Sequence, residues 1–236
     1  MNRWKGIHHW NVSPEEAVEL QHRLADLVCP DDAFPKVESV CGADVAYGDR
    51  AGVGACAVFR FPELVLLEVS VEAGPVQFPY IPGLLSFREI PLLLPAFEKL
   101  KKMPDVIIVD GHGLAHPRRF GLACHLGVLL DKPVIGCAKS SLLGCGRNQT
   151  DLPADRGSFE YIREGDDVVG AALRTKSHLK PLYVSVGTKI SLGSALYYVL
   201  HCSCQWRVPE PVRKAHQVAK NFLLGSEAED PGIQIV

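Results

Sequence analysis

No stretch of the chain approaches the roughly 20 consecutive apolar residues that a membrane-spanning helix needs, so a helical membrane protein is not expected. The start, Met1-Asn2-Arg3-Trp4-Lys5-Gly6, runs into His8-His9-Trp10 without an apolar signal core. No secretory signal is expected, and the default compartment is cytoplasmic. Internal repeats and low-complexity segments are also missing, which argues against solenoid and fibrous classes. The eight cysteines lack zinc-finger spacing: Cys202 and Cys204 stand close together, but no second pair matches them. Cys41, Cys56, Cys124 and Cys137 lie inside apolar runs, where a free thiol behaves as a small hydrophobe. Reduced structural thiols are therefore expected rather than a zinc site.

What is present suits a compact α/β protein. The 236 residues are 47% hydrophobic and 22% charged, enough for a sizeable core. One domain over 1–236 is expected, with its core at 36–222 and a flexible tail at 223–236. The net charge of −2 hides an uneven distribution. Residues 1–170 carry 17 basic and 23 acidic side chains, whereas residues 171–220 carry eight basic ones against Glu210 alone. That segment is a candidate phosphate-facing surface, although a solvated basic face with no partner fits equally well.

Ser13-Pro14-Glu15-Glu16 marks a helix start, with Ser as N-cap and Pro in the first turn; the helix should stop at about Val28, before Pro30. Strand-like runs at about 37–47, 53–61 and 64–73 are separated by short turns and predict antiparallel neighbours. The apolar runs Val106–Val109 and Pro133–Ala138 flank a helical stretch at about 116–131. This is a βαβ unit with a parallel, right-handed crossover. Residues 144–167 read as loop. Strands follow at 168–174 and 182–186, and helices at about 188–201 and 209–222. The expected fold is a mixed sheet, with an antiparallel meander joined to a parallel βαβ and helices on both faces.

Several residues could carry chemistry. Asp110 closes a buried parallel strand, where ligands of open α/β sheets bind, and Gly111 and Gly113 let backbone approach a ligand. A cap on the next helix is the less favoured alternative. Asp44 interrupts a small, apolar strand, which disfavours Asp, yet one solvent-facing position would also explain it. Glu89 stands at capping-box spacing from Ser86. Were the three acids to converge, an all-oxygen site would favour Mg²⁺, with Mn²⁺ able to substitute, and could activate water against a phosphodiester. Tyr80 sits in a stiff Pro79-Tyr80-Ile81-Pro82-Gly83 turn and could stack on bases, or fold inward. Lys139 follows the second parallel strand and could meet a phosphate. His216 lies on a basic helix and could assist proton transfer. His112 and His116 have the spacing of paired helical zinc ligands but lack the catalytic Glu of that motif, so a zinc hydrolase is a weaker alternative.

Taken together, the stretches Gly-Ala-Asp-Val-Ala-Tyr at 42–47, Pro-Tyr-Ile-Pro-Gly-Leu-Leu-Ser-Phe-Arg-Glu at 79–89, Asp-Gly-His-Gly-Leu-Ala-His-Pro-Arg at 110–118, Gly-Cys-Ala-Lys-Ser at 136–140 and Pro-Val-Arg-Lys-Ala-His at 211–216 resemble endonuclease V. They keep that family's order over roughly 37–222. The resemblance implies a ribonuclease H-like fold and cleavage of the second phosphodiester 3′ to an inosine, leaving 3′-hydroxyl and 5′-phosphate ends. It places Asp44, Glu89 and Asp110 at acidic metal positions, over the capping role for Glu89, and His216 at an active-site histidine. It also places Tyr80 in a strand-separating wedge and Lys139 near the cleaved phosphate. The turn from Gly83 to Leu85, Gly111, His116 and Leu142 fall near a pocket for an everted hypoxanthine. The implied partner is inosine-containing DNA or RNA, and a monomer is the simpler expectation. His112 departs from the amide side chain expected there, and residues 1–35 match weakly. A binder of the same fold without catalysis is the contrasting expectation, disfavoured by the presence of all three acids and His216.

Overall fold

The computed structural model describes residues 7–48, 51–143 and 152–225. Helix α1 (Pro14–Ala25) starts as the sequence predicts: Glu16 N–H donates to Ser13 Oγ, and Ser13 N–H donates to the Glu16 carboxylate. Strands β1 (Ser39–Tyr47), β2 (Gly52–Arg60) and β3 (Val65–Gly74) form an antiparallel meander. After α2 (Leu85–Lys99) come β4 (Val106–Val109), α3 (Leu122–Leu130) and β5 (Val134–Ala138), with β4 parallel to both β1 and β5. Strands β6 (Phe159–Glu164), β7 (Asp167–Leu173) and β8 (Leu182–Thr188) complete the sheet, β8 pairing antiparallel with β5, β7 with β8 and β6 with β7, in the order β3-β2-β1-β4-β5-β8-β7-β6. Helices α4 (Leu192–Cys202) and α5 (Glu210–Leu223) end the fold.

Alternation along β1 separates the two layers, because successive side chains of a strand point to opposite faces. Cys41, Ala43 and Val45 pack with Ile90 and Phe97 of α2 and Leu126 of α3. Val40 packs with Val199 of α4 and Val212 of α5, and Ala46 with Ala215 and Val218 of α5. The result is the expected mixed α/β architecture with helices on both faces. Among the described residues, no helix is long and apolar enough to cross a membrane.

The elements differ from expectation in two places. The helix expected from 116 begins only at Leu122, because residues 110–121 form a chain of bends and turns. The stretch 144–167, expected to be loop, contains edge strand β6. Only Ile162 of that strand is buried, so its pattern carries little period-2 signal to read. Residues 144–151, and the tail from 226 on that was expected to be flexible, lie outside the described residues. Helix α2 continues through Pro91 and Pro95. It buries Phe87, Ile90, Leu93, Leu94 and Phe97, each worth about 1.5–3 kcal/mol. Together these outweigh the two interior prolines at about 3 kcal/mol each.

Candidate active site

The carboxyl ends of β1, β4 and β5 share one edge of the sheet, and the candidate residues gather there. Gly42 lets α5 lie directly on β1: a Cβ at Gly42 would stand 2.0 Å from the Pro211 carbonyl carbon. The close approach brings His216 onto Asp44, with Nδ1 2.7 Å from Asp44 Oδ2. Asp110 follows β4, and the Lys139 ammonium, just after β5, donates to its carboxylate. Glu89 reaches the same edge from α2, where it accepts from the Tyr47 hydroxyl at 3.4 Å. The Arg88 guanidinium lies over the Tyr47 ring, 4.4 Å from its centroid. Ser86 lies inside α2, whose N-cap is Leu84 with no side-chain bond, so Glu89 belongs to no capping box.

Asp44 and Glu89 both feel the charge of Asp110. Burial pushes the Glu89 carboxyl well above its ordinary range, and the nearby Asp44 and Asp110 push it further. Burial and Asp110 also raise Asp44, against the hydrogen bond from His216. Burial works against the charge on Lys139, but its bond to Asp110 outweighs that and raises its proton affinity. Desolvated carboxylates that repel one another call for a cation, and an all-oxygen donor set suits a hard divalent ion. Among the described residues, no three Asp, Glu, His or Cys side chains stand ready-spaced around an ion; two of the carboxylates are engaged by Lys139 and His216.

Beside the acids lies a cavity of about 230 Å³, below the roughly 300–1,000 Å³ usual for drug-sized ligands. Asp110, Gly111 and Lys139 form one wall, with Tyr80, Gly83, Leu85, His116 and Leu142 around it. All seven expected substrate residues therefore line one pocket. Its rim is a turn at Gly83, whose φ of +82° suits glycine; a Cβ there would lie 2.7 Å from Arg118 Nη2. The Gly83 carbonyl accepts three hydrogen bonds, from Gln21 Nε2 (3.0 Å), His116 Nε2 (2.9 Å) and Arg118 Nη2 (2.8 Å). Arg118 N–H in turn donates to His116 Nδ1 at 3.1 Å. Burial lowers His116 to about 4, so a neutral imidazole serves as a fixed strut. Tyr80 is 68% exposed at the mouth. Two buried polar atoms of lining residues, Ser86 Oγ and His112 Nδ1, have no hydrogen-bond partner among the described residues.

The family model for endonuclease V matches residues 22–217. The chain belongs to the endonuclease V family. An endonuclease V of Dehalococcoides mccartyi is 47% identical over 93% of this chain and 98% of its own length. The crystal structure of endonuclease V from Streptomyces avermitilis superposes with a TM-score of 0.82 at 40% identity, covering 92% of this chain and 95% of that one. Endonuclease V of Ciona intestinalis, solved with a 24mer DNA containing an inosine followed by a ribo-adenosine, gives 0.80 at 28% identity over 89% and 98% of the two chains.

The endonuclease V match starts at residue 22, one position after the pocket residue that sequence reading missed. Gln21 is 1% exposed and bonds the carbonyls of Gly83 and Phe120. Its one sequence signal is a polar residue on the α1 face built from Ala17, Leu20 and Leu24. The helical geometry assumed by the zinc alternative is not found at its two histidines. His112 and His116 lie in a non-helical stretch, and both His116 ring nitrogens are engaged. The basic segment is less uniform than its charge implies. Arg174 is buried and binds the carbonyls of Leu152 and Pro153, and Lys189 pairs with Asp131. Cys41, Cys56, Cys124 and Cys137 are buried free thiols.

Proposed function

We propose that this endonuclease V family member is a divalent-metal-dependent endonuclease acting at inosine in nucleic acid. It hydrolyses the second phosphodiester on the 3′ side and leaves 3′-hydroxyl and 5′-phosphate ends. The observation that carries this is the juxtaposition of two buried carboxylates, Asp44 and Glu89, with the partly exposed Asp110 and a histidine, beside a pocket of nucleobase scale.

Asp44, Glu89 and Asp110 would hold Mg²⁺, or Mn²⁺ in its place. When bound, the ion supplies a water of lowered pKa and neutralises charge on the phosphate. His216, with Nδ1 turned to Asp44, is held in one orientation and can hold a proton at its other nitrogen or steady the phosphate. Lys139 brings a positive charge to the phosphate side of Asp110. Tyr80 wedges into the stack that the everted nucleotide vacates, and the pocket takes the base. Inosine pairs weakly, so its eversion costs less than that of a normal base. Backbone groups of the Gly83–Leu85 turn and Gly111 read the O6 and N1–H edge. DNA and RNA both fit this outline, and contacts at 2′-hydroxyls decide between them.

Two substitutions probe the pocket. Tyr80→Ala should slow cleavage of duplex inosine substrates by on the order of tenfold, the worth of one stacked aromatic, and spare single strands; matched rates on the two substrates check it. Ser86→Ala removes a buried hydroxyl with no protein partner, so thermal stability should hold or rise slightly. Ser86 also lines the pocket, and its unpartnered hydroxyl is assigned here to the base, so discrimination of inosine over adenosine should fall about tenfold, the effect of one lost hydrogen bond. Competition between the two substrates measures this directly.

The assignment itself is tested with 5′-labelled oligonucleotides carrying one inosine, made as DNA and as RNA. A cut one nucleotide beyond the lesion, with a 5′-phosphate on the downstream product, supports it. Tight inosine binding by folded protein without any cut supports a non-catalytic binder instead.

A further inference from the structure

We infer that the segments 175–181 and 203–209 form a landing platform for the strand on the 3′ side of the cut, with Trp206 stacking on one of its bases. This rests on the functional reading above and adds to it a surface outside the base pocket and the acidic cluster.

No carboxylate occurs anywhere in residues 168–209. Within that stretch the two segments are bonded into one unit. Thr175 Oγ1 donates to the Arg207 carbonyl at 2.6 Å, and Lys176 Nζ to the Gln205 carbonyl at 2.7 Å. Arg207 returns the connection, from Nε to the Lys180 carbonyl at 2.7 Å and from Nη2 to the Pro181 carbonyl at 3.0 Å. Side-chain-to-backbone bonds in both directions hold the surface rigid, so a strand landing there orders little that is not already ordered.

The unit is tied to the catalytic edge at two points. Arg207 Nη2 also reaches the Lys139 carbonyl at 3.5 Å. The Arg213 guanidinium lies 5.1 Å from the Trp206 ring centroid and is held by Glu210 at 2.7 Å. Arg213 stands three residues before His216 on α5, so the two are neighbours on the helix surface. Trp206 nevertheless remains 50% exposed and joins none of the hydrophobic clusters among the described residues. A half-exposed indole among cations, with Lys176 and Lys180 exposed nearby, has the make-up of a sequence-tolerant stacking site for nucleic acid.

Topology supplies the direction. The base pocket draws on α2 and the α3 start, whereas the platform belongs to the α4–α5 side of the same sheet edge, where β8 begins beside the end of β5. A strand with its base in the pocket must pass Asp110 and Lys139 before it reaches Trp206. Since the cut falls 3′ to the pocketed base, the portion beyond is the 3′ flank.

The test compares wild type, Trp206→Ala and Trp206→Phe on inosine oligonucleotides with a long 3′ flank or a flank trimmed back to the nucleotide at the cut. Binding is read by fluorescence anisotropy in EDTA, and cleavage is read separately at saturating protein. Trp206→Ala should weaken binding of the long-flank substrate on the order of tenfold, with the saturated cleavage rate unchanged. Trp206→Phe should keep most of the affinity, and the trimmed substrate should not distinguish the three proteins. Equal weakening on both substrates, or none on either, overturns the platform. Absence of cleavage by wild type at inosine would instead overturn the functional reading, while the flank dependence of binding still judges the platform.

Discussion

Asp110→Ala will lower the single-turnover cleavage rate at inosine by roughly 10³-fold or more, because a catalytic metal supplies several kcal/mol of charge stabilisation and each 1.4 kcal/mol is a factor of ten. Asp110 closes β4 and contributes nothing to the hydrophobic core, and its side chain is 21% exposed. The folded state should therefore survive, with unchanged circular dichroism. The substitution also releases the Lys139 ammonium from its carboxylate partner. Inosine binding should persist, since the pocket turn is held by Gln21, His116 and Arg118. Rapid-quench kinetics beside a binding titration separate the two effects. A rate within tenfold of wild type would remove Asp110 from the proposed metal site.

The second large effect is on stability, and its sign is opposite to that of most buried substitutions. Glu89→Gln should abolish cleavage and raise the thermal midpoint in EDTA at neutral pH. Burial and the neighbouring acids raise the Glu89 carboxyl above its ordinary value of 4.5, so the folded protein holds this proton more firmly than the unfolded chain does. Its stabilising contribution is complete below about pH 4.5 and is lost as pH rises through the raised folded value. Asp44, raised from 3.8, acts in the same direction. Wild type in EDTA should therefore lose stability between mildly acidic and neutral pH, and Glu89→Gln should flatten that loss. Each kcal/mol regained is worth about 2–4 °C for a chain of this size. Added Mg²⁺ should raise the wild-type midpoint by mass action and leave Glu89→Gln nearly unmoved. Scanning calorimetry across pH, with and without Mg²⁺, checks all of this. A lower midpoint for Glu89→Gln at neutral pH would mean that the Tyr47 contact outweighs the repulsion.

Some of this site is written plainly in the chain. Asp110 stands out because Val106–Val109 is an unbroken apolar run, and a carboxylate at its end has few bland explanations. The stiff turn around Tyr80 is legible, but its prolines leave open whether the ring faces in or out, and it proves 68% exposed. Asp44 does not, since β1 is buried on both faces and one polar position could face either way. Glu89 was masked by a serine at capping distance, although the helix begins before that serine. For Glu89 and His216, family resemblance supplied the assignment, because their proximity to Asp44 comes from packing of α2 and α5 that no local pattern encodes. The same holds for Gln21, brought to Gly83 from 62 residues away. Charge counting overstated the basic surface, because Arg174 spends its guanidinium on buried carbonyls.

The most direct test measures single-turnover cleavage of paired oligonucleotides that differ only by inosine or adenosine at one position, in Mg²⁺ and in EDTA. The account predicts a cut only in the inosine strand, one nucleotide 3′ of it, and only with Mg²⁺ present. Equal cleavage of both strands, or cleavage that persists in EDTA, would contradict it.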